Sequence, residues 1–337
     1  MAIKVLFLIQ GFEVASSRYR VLQYIPYLEK KDILATVVPF PKTILDKINI
    51  YPKISKFDIL FLHRKRLPFF EHLYVRRKAK KIIYDFDDAV MVRNSTRENP
   101  YSITRFRRFV RTVKDSDYIF AGNRFLMEQA KKYNPNVMVL PTSIDLNNYP
   151  LKNWKIRSDN IIIGWIGDTG SLHYLEKLAP VFEKLAYFDK NIRLKIVCSH
   201  FFDLKEMKVI KSLWSSETEI KDLLSFDIGI MPLVEDIWSE GKCGFKIIQY
   251  MGVGLPVVCS PIGVNKELVK EGVNGFFAKD EQQWIDKIMI LAKDIDLRAK
   301  MGKEGRKRIE ENYSVQANEP KFYQILKDLI NGQKNKI

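Results

Sequence analysis

The chain has 337 residues, of which 46% are hydrophobic and 28% charged, a composition typical of a globular protein with two domains of ordinary size. The sequence has no run of eighteen apolar residues, so no transmembrane helix is predicted. Its three cysteines predict neither a disulfide framework nor a CxxC metal site. The formal net charge is +16, and residues 1–150 carry most of it, with 27 Lys and Arg against 14 Asp and Glu.

The first half of the chain alternates apolar stretches with amphipathic ones. Its predicted strands are Ile3–Ile9, Leu34–Val38, Asp58–Leu62, Lys81–Tyr84, Tyr118–Ala121 and Val137–Leu140. Ile3–Ile9 has no cleavage site after it, so we predict a first strand and not a signal peptide. Ser16 and Ser17 predict the cap of a helix from Arg18 to about Lys30. Such alternation predicts a doubly wound parallel sheet, with ligands bound beyond the carboxyl ends of its strands.

Three loops follow such strand ends. The loop Gln10–Ser17 leads into a helix N-terminus and could hold a phosphate or an acceptor, with Gly11, Ser17 and Arg18 as its candidate contacts. His63, in the second loop, is a candidate polar catalytic residue. The third loop is Asp85–Asp88, whose three carboxylates repel one another unless a cation, a base or hydrogen-bond donors share the site. Helix capping by one aspartate is the alternative interpretation.

Basic residues cluster in three places of the first half: Arg64–Arg66, Arg76–Lys81, and Arg105, Arg107, Arg108 and Arg111. The last group shares a predicted helix with the apolar residues Ile103, Phe106, Val110 and Val113, which makes that helix amphipathic. A solvated face, a nucleic-acid surface and an anionic membrane surface are the alternatives. No nucleic-acid-binding signature accompanies the charge, so we expect a solvated face with weak contact to an anionic membrane and no nucleic acid.

The second half begins after a polar segment, Asn147–Asp159, that is typical of a linker. Its predicted strands are Ile161–Ile166, Arg193–Val197, Asp227–Pro232, Pro256–Ser260 and Gly275–Ala278. The loop with Gly167 and Gly170 precedes a predicted helix, Leu172–Tyr187. Residues 281–312 have a helical pattern, and a last helix is predicted at Ala317–Ile330.

The stretch Trp238–Phe277 predicts a loop, a helix, a tight turn and a buried strand. Gly241 and Gly244 border the helix start, and a helix N-terminus suits an anion such as a diphosphate. Lys242 and Lys246 add two charges there, so we predict that they clamp the diphosphate. A βα unit whose glycines only serve packing is the alternative.

This stretch resembles the donor-binding segment of the nucleotide-sugar-dependent glycosyltransferases of family 4, the "glycosyl transferases group 1". The matching residues are Gly244-Phe245, Tyr250-Met251, Gly254, Pro256-Val257-Val258, Gly263, Glu267 and Asn274-Gly275. That family carries two glutamates eight positions apart. Here the first position is Gly241, with Glu240 one residue earlier, and the second is Gln249.

The resemblance implies the GT-B architecture, an α/β fold of two Rossmann-like doubly wound domains that face a cleft. Residues 1–150 would form the acceptor-side domain, 151–314 the donor domain, and 315–337 a helix that crosses back to the first. Donor contacts would come from Gly167, Gly170, Glu240, Gly241, Lys242, Gly244, Phe245, Lys246 and Gln249. Asp87 and Asp88 occupy the place of a catalytic pair. An Asp-x-Asp metal site belongs to the GT-A architecture, whose single mixed sheet the second half contradicts.

The implied activity is transfer of a sugar from a nucleotide-diphospho-sugar to an acceptor hydroxyl, with retention, in envelope glycan or polysaccharide synthesis. The nucleotide sugar would be a co-substrate, and no cofactor or metal is expected. The acceptor would be a glycan or a lipid-linked acceptor. A cytoplasmic location, peripheral to the inner face of the membrane, fits this activity and the unpaired cysteines. A non-catalytic nucleotide-sugar-binding homologue and a nucleotide-sugar epimerase are the alternatives.

Overall fold

The computed structural model describes residues 2–156 and 158–332, and the chain forms two compact units. The first unit comprises Met1–Ser143, Asp236–Cys243 and Val315–Ile337, and the second comprises Ile144–Glu235 and Gly244–Ser314. The predicted boundaries assigned Asp236–Cys243 to the second domain, whereas its contacts assign it to the first unit. Arg157 of the predicted linker and residues 333–337 of the predicted C-terminal segment lie outside the described residues.

The first unit is built on a parallel six-stranded sheet. Its strands are Ile3–Ile9 (β1), Ile33–Pro39 (β2), Ile59–His63 (β3), Lys81–Phe86 (β4), Tyr118–Ala121 (β5) and Val137–Val139 (β6). The strand order is β2-β1-β3-β4-β5-β6, so the chain reverses its direction of winding between β1 and β3. Both faces of the inner strands are covered, which explains why β3 is buried along its whole length.

Short helices connect these strands. They are Ala15–Arg20 (α1), Ile25–Glu29 (α2), Ile44–Ile50 (α3), Phe69–Lys78 (α4), Ile103–Lys114 (α5) and Arg124–Lys131 (α6), with 3₁₀ turns at Leu22–Tyr24 and Tyr51–Lys56. The single helix predicted from Arg18 to about Lys30 is wrong. The chain forms α1, a 3₁₀ turn and α2 instead, because Pro26 has no N–H to donate and its ring crowds the preceding turn.

From residue 144 onward the strands are Ile161–Ile166 (β7), Ile192–Cys198 (β8), Val209–Leu213 (β9), Ile228–Met231 (β10), Val257–Cys259 (β11) and Gly275–Phe277 (β12). They form a second sheet, in the order β12-β11-β10-β7-β8-β9, and its neighbouring strands pair in parallel. Counted from β7, this is the order 3-2-1-4-5-6 of dinucleotide-binding sheets, whose ligands lie where the winding reverses. That place is between β7 and β10.

The helices of the same stretch follow in chain order. They are Thr169–Glu176 (α7), Ala179–Phe188 (α8), Glu219–Leu224 (α9), Ile237–Glu240 (α10), Phe245–Gly252 (α11), Asn265–Leu268 (α12), Glu281–Lys293 (α13), Ile295–Asn312 (α14) and Val315–Asn331 (α15). Of these, α10 and α15 belong to the first unit. The helix predicted at Leu172–Tyr187 is interrupted before Ala179, the first residue of α8, and Pro180 lies in the first turn of that helix.

Each unit has its own apolar core. In the first unit, Phe322 of α15 packs with Phe61 and Phe120 of the sheet, at ring-centroid distances of 5.5 and 5.1 Å. In the second, Ile163, Leu194 and Ile230 of the sheet are fully buried. The predicted α/β fold with two doubly wound parallel sheets is confirmed, and the single mixed sheet of the GT-A alternative is excluded. In the described part of the chain, no helix is both long enough and apolar enough to cross a membrane.

Candidate functional site

The second sheet reverses its winding between β7 and β10, and the candidate site of the second unit lies at this place. Gly167 directly follows β7, and its backbone N–H donates to the carbonyl of Val197 at 3.1 Å. A Cβ atom on residue 167 would lie 2.7 Å from Cε of Lys246 and 2.8 Å from the Trp165 ring. A larger residue would force the Trp165 ring or the Lys246 side chain to shift, so the backbone after β7 lies directly against the Lys246 side chain.

Lys246 lies in the first turn of α11. Its ammonium nitrogen is 5.2 Å from the centroid of the Trp165 ring, within the range of a cation–π interaction. The half-buried Lys246 side chain lies against Gly167, so its charge is close to this edge of the sheet. A cation at a helix N-terminus opposes the helix dipole, so an anion bound there would relieve an unfavourable charge arrangement.

The start of α11 is defined by Gly244, which has a left-handed φ of +64°. A Cβ atom on this residue would lie 2.2 Å from Cδ1 of Leu268, so both the backbone and the packing require glycine. Phe245 is the first residue of the helix and is half-buried. The amide groups of the first turn point out of the N-terminus, the usual arrangement for binding a phosphate.

A second helix starts at the same sheet edge. α7 begins at Thr169, and a Cβ atom on Gly170, its second residue, would lie 3.2 Å from the Asp168 carboxylate. The Thr169 hydroxyl lies 2.8 Å from the Ser199 hydroxyl and 3.0 Å from Nδ1 of His200. Because Ser199 and His200 follow β8, hydroxyl and imidazole groups meet beside the glycine loop, where they can hydrogen-bond a polar ligand.

Comparison with known proteins finds a family match in this part of the chain. Residues 173–294 match the family model described as "Glycosyl transferases group 1". The predicted resemblance to that family is confirmed. The matched stretch includes all of α11, and therefore Lys246 and Gln249.

Solved structures of this family's architecture superpose on the chain. HepE from Anabaena, in complex with UDP and glucose, has a TM-score of 0.73 at 16% identity, covering 97% of this chain and 100% of that one. Sucrose-phosphate synthase from Thermosynechococcus elongatus has a TM-score of 0.70 at 11% identity, covering 98% and 100%. The fold is therefore GT-B.

Curated relatives match over a shorter stretch. Trehalose synthase from Pyrococcus horikoshii is 24% identical over 143 residues, which are 42% of this chain and 32% of that protein. Trehalose synthase from Thermococcus litoralis is 26% identical over 140 residues, with the same coverage. This chain thus spans about a third of the length of the curated relatives that it matches.

Gln249, at the family's second glutamate position, is buried and only 2% exposed. Its side-chain amide donates to Glu219 Oε1 at 2.9 Å and to the Tyr149 hydroxyl at 3.3 Å. Both amide hydrogens are therefore used within the second unit. This network gives Gln249 a packing role that its match to the family's glutamate did not suggest.

The segment Asp236–Cys243, at the family's first glutamate position, is fastened to the first unit. The Asn123 side-chain amide donates to the carbonyls of Lys242, at 3.0 Å, and Glu240, at 3.3 Å. A Cβ atom on Gly241 would lie 2.6 Å from that of Ala89, so this glycine serves close packing. Glu240 ends α10, and the Lys242 ammonium lies 5.8 Å from the Trp238 ring centroid. Lys242 and Glu240 thus belong to a different unit from Lys246.

His63 ends β3 and is fully buried in a polar network of the first unit. Its Nδ1 lies 2.7 Å from Asp85, and its Nε2 lies 3.1 Å from the Ser16 hydroxyl. Arg20 Nε donates to both Asp85 oxygens at 3.1 Å, and Arg20 Nη1 donates to the carbonyl of Leu140 at 2.6 Å. Burial alone would raise the pKa of Asp85, but the charge of Arg20 and the hydrogen bonds from Arg20 and His63 lower it.

Asp87 and Asp88 share one partner, Arg64. Arg64 Nε lies 3.2 Å from Asp87, and Arg64 Nη2 forms an ion pair with Asp88. Burial alone would lower the pKa of Arg64, but the two carboxylates raise it above its ordinary value. Arg64 also adopts a left-handed φ of +60°, which is rare outside glycine. The helix-capping alternative is wrong, because the next helix after Asp88 is α5, which starts at Ile103.

The remaining predicted contacts of the first unit lie in the loop before α1. The Ser17 hydroxyl is fully buried and accepts a hydrogen bond from the Gln10 backbone at 3.2 Å, so it fastens the loop within the unit. The Gly11 carbonyl accepts from the Val14 N–H at 3.4 Å. Arg18 is half-buried, with its guanidinium 5.2 Å from the Tyr19 ring centroid.

Sequence reasoning missed Arg20 and Arg64 as partners of the Asp85–Asp88 carboxylates, and it missed the group Thr169, Ser199 and His200. The strand-end rule that selected His63 and Gly167 would have found Ser199 and His200, since both follow β8. Arg20 lies 65 residues from Asp85, and no local pattern predicts that pair. Within residues 2–156 and 158–332, no group of three or more His, Cys, Asp or Glu side chains is placed to hold a metal ion.

Proposed function

We propose that this protein is a glycosyltransferase that moves a sugar from a nucleotide-diphospho-sugar to an acceptor hydroxyl. The observation that carries the proposal is the coincidence of two features in the second unit. The family-matched stretch 173–294 contains α11, and Lys246 of α11 lies over Gly167 at the winding reversal of the sheet. This is where sheets of this strand order bind nucleotides.

The donor diphosphate is proposed to bind at the N-terminus of α11, near the ammonium of Lys246 and the backbone of Gly167 and Gly170. Lys242 is retained as a proposed second cation. Breaking the bond between the anomeric carbon and the diphosphate oxygen leaves negative charge on the diphosphate, which cations and helix-end amides stabilise. In this proposal no metal or cofactor is required. UDP-sugars are the first donors to test, since the Anabaena neighbour was solved with UDP and glucose.

Asp87 and Asp88 are proposed to contact the transferred sugar through its hydroxyl groups, in positions fixed by Arg64. We further propose retention at the anomeric carbon, an acceptor that is a glycan or lipid-linked, and a role in envelope glycan or polysaccharide synthesis. The proposed location is the cytoplasm, at the periphery of the inner face of the membrane.

Two other functions use the same donor site. A non-catalytic binding homologue is favoured by the absence of acids at positions 241 and 249. An epimerase would convert a nucleotide sugar without any acceptor. Product analysis separates the three: transfer or hydrolysis releases the nucleoside diphosphate, epimerisation gives a new nucleotide sugar, and a binding homologue leaves the ligand unchanged.

The first experiment is a thermal-shift panel of UDP-, GDP- and ADP-sugars on the full chain. A ligand at 100 times its Kd stabilises the native state by about 2.7 kcal/mol, so a true donor raises the melting temperature. Mannitol at the same concentration controls for solvent effects. A panel in which no nucleotide sugar raises the melting temperature would argue against the proposed function.

A further inference from the structure

Three helices of the first unit, α3, α4 and α5, expose an unusual share of large apolar side chains. Of the twenty such side chains exposed in the described part of the chain, these helices carry nine: Ile44, Leu45, Ile48, Phe69, Phe70, Leu73, Tyr74, Ile103 and Phe106. Phe70 is 82% exposed, and Ile103 is 72% exposed. Scattered exposed apolar residues are ordinary, but a cluster of them marks an interaction surface.

Side-chain contacts join the three helices. The Lys47 ammonium of α3 lies 3.0 Å from the Glu71 carboxylate of α4. The Arg111 guanidinium of α5 lies 5.4 Å from the ring centroid of Phe69 in α4. The exposed residues of α3, α4 and α5 therefore form one continuous surface of the first unit, which we call the α3–α5 surface.

The helix α5 buries only some of its apolar residues. Phe109, Thr112 and Val113 are the buried residues of this helix. Ile103 and Phe106 instead lie among the exposed residues, beside Arg107 and Lys114. The outer face of α5 is therefore apolar and basic at once.

The charge of the α3–α5 surface indicates which kind of partner binds it. The three helices contain nine basic residues and two acidic ones, and one of the acids, Glu71, is paired with Lys47. A second copy of the same surface would face nine like charges, which disfavours self-association. An anionic bilayer accepts both groups, because apolar side chains enter the interface while Lys and Arg reach the lipid phosphates.

We propose that the α3–α5 surface docks the protein on an anionic lipid bilayer, with Phe70, Leu73, Ile103 and Phe106 inserted at the interface. The inference assigns a surface to the membrane location proposed above and does not depend on the proposed glycosyl transfer. It also differs from a purely electrostatic attachment. Salt screens the charges but leaves the apolar contribution, so high salt should weaken the docking without abolishing it.

The test is flotation of the full chain with vesicles of phosphatidylcholine alone or with about one third phosphatidylglycerol, at low and high salt. One variant carries Phe70→Ser and Ile103→Ser, which removes apolar contacts. A second carries Arg107→Glu and Lys114→Glu, which reverses two charges. The matched control carries Tyr187→Ser and Phe188→Ser, because these residues are 79% and 60% exposed in the second unit.

We expect the wild type and the control to float with anionic vesicles. Each α3–α5 variant should bind roughly tenfold more weakly, with an unchanged melting temperature. Wild-type protein that does not bind anionic vesicles at low salt would overturn the proposal, as would equal binding by all variants. A dimer in light scattering that only the α3–α5 variants lose would also overturn it, because the occupant would then be a second copy.

Discussion

Lys246 is the residue on which the proposed donor site depends most. Lys246→Met keeps the apolar stem on Trp165 and Gly167 but removes the charge, so nucleoside-diphosphate affinity should fall about 10- to 150-fold, the scale of a charge-assisted hydrogen bond. The stability of the free protein should hold or rise slightly, because a cation is removed from a positive helix end. Isothermal titration with UDP measures the change.

Lys190→Ala is the matched control, since Lys190 is 67% exposed and pairs with Glu206 on the surface of the same unit. Its UDP affinity should equal that of the wild type. Equal affinity in Lys246→Met would place the diphosphate elsewhere. Lys242→Met, titrated in parallel, tests the second proposed cation.

Gln249 stands at a family motif position and also takes part in a buried hydrogen-bond network. Gln249→Ala removes one buried hydrogen-bond donor from Glu219 and one from Tyr149, so the free energy of unfolding should fall by about 1–3 kcal/mol while UDP affinity stays within about twofold. Gln249→Glu would place a carboxylate beside Glu219, so its melting temperature should fall further as the pH rises above the pKa of an ordinary glutamate. Weaker UDP binding at unchanged stability would instead return Gln249 to the nucleotide site predicted from the sequence.

At the scale of elements, one buried network joins α1, β3 and β4. Asp85 is paired with Arg20 and His63, and its pKa is lowered on balance. The stability it contributes is therefore complete above the unfolded carboxyl pKa of about 3.9 and is lost as the pH falls through the lower folded value. Asp85→Asn should remove about 3–5 kcal/mol at neutral pH and flatten the acid side of the stability profile.

Urea unfolding between roughly pH 2 and pH 7 measures this effect, because the loss lies below the unfolded carboxyl pKa. Asp203→Asn is the control, because Asp203 is 80% exposed and its pair with Lys211 should contribute little. An Asp85→Asn profile parallel to that of the wild type would show that the network contributes no pH-dependent stability.

The local sequence pattern predicted the bounds of some strands and helices correctly and missed others. β1, β5 and β7 have the predicted bounds because each is an apolar run with clear flanks. β9 was missed, since Val209–Leu213 is an edge strand with Lys211 and Ser212 inside it, and it has no continuous apolar run. Two helices were predicted too long because the apolar spacing continues through Pro26 and Pro180, where the backbone hydrogen bonds are interrupted.

At the scale of the whole molecule, the α/β class and the two parallel sheets followed from the sequence, because strand and helix patterns alternate along the chain. The assignment of Asp236–Cys243 to the first unit did not follow from the sequence. It depends on Asn123, Asp87 and Ala89, which are remote in sequence, and the Cys243 thiol donates to the Asp87 carbonyl at 2.9 Å. Contacts of this kind have no periodic signal, so the site could be predicted only in part.

The proposed glycosyl transfer is tested most directly by turnover. The purified full chain is incubated with UDP-glucose and with the best donor of the thermal-shift panel, and mass spectrometry follows the nucleotide and the sugar. We predict release of the nucleoside diphosphate, with the sugar on water or on an added acceptor, in the presence of a chelator. Asp87→Asn should lower that rate without changing UDP affinity. A donor that binds but is recovered intact, with no diphosphate released, would contradict the account.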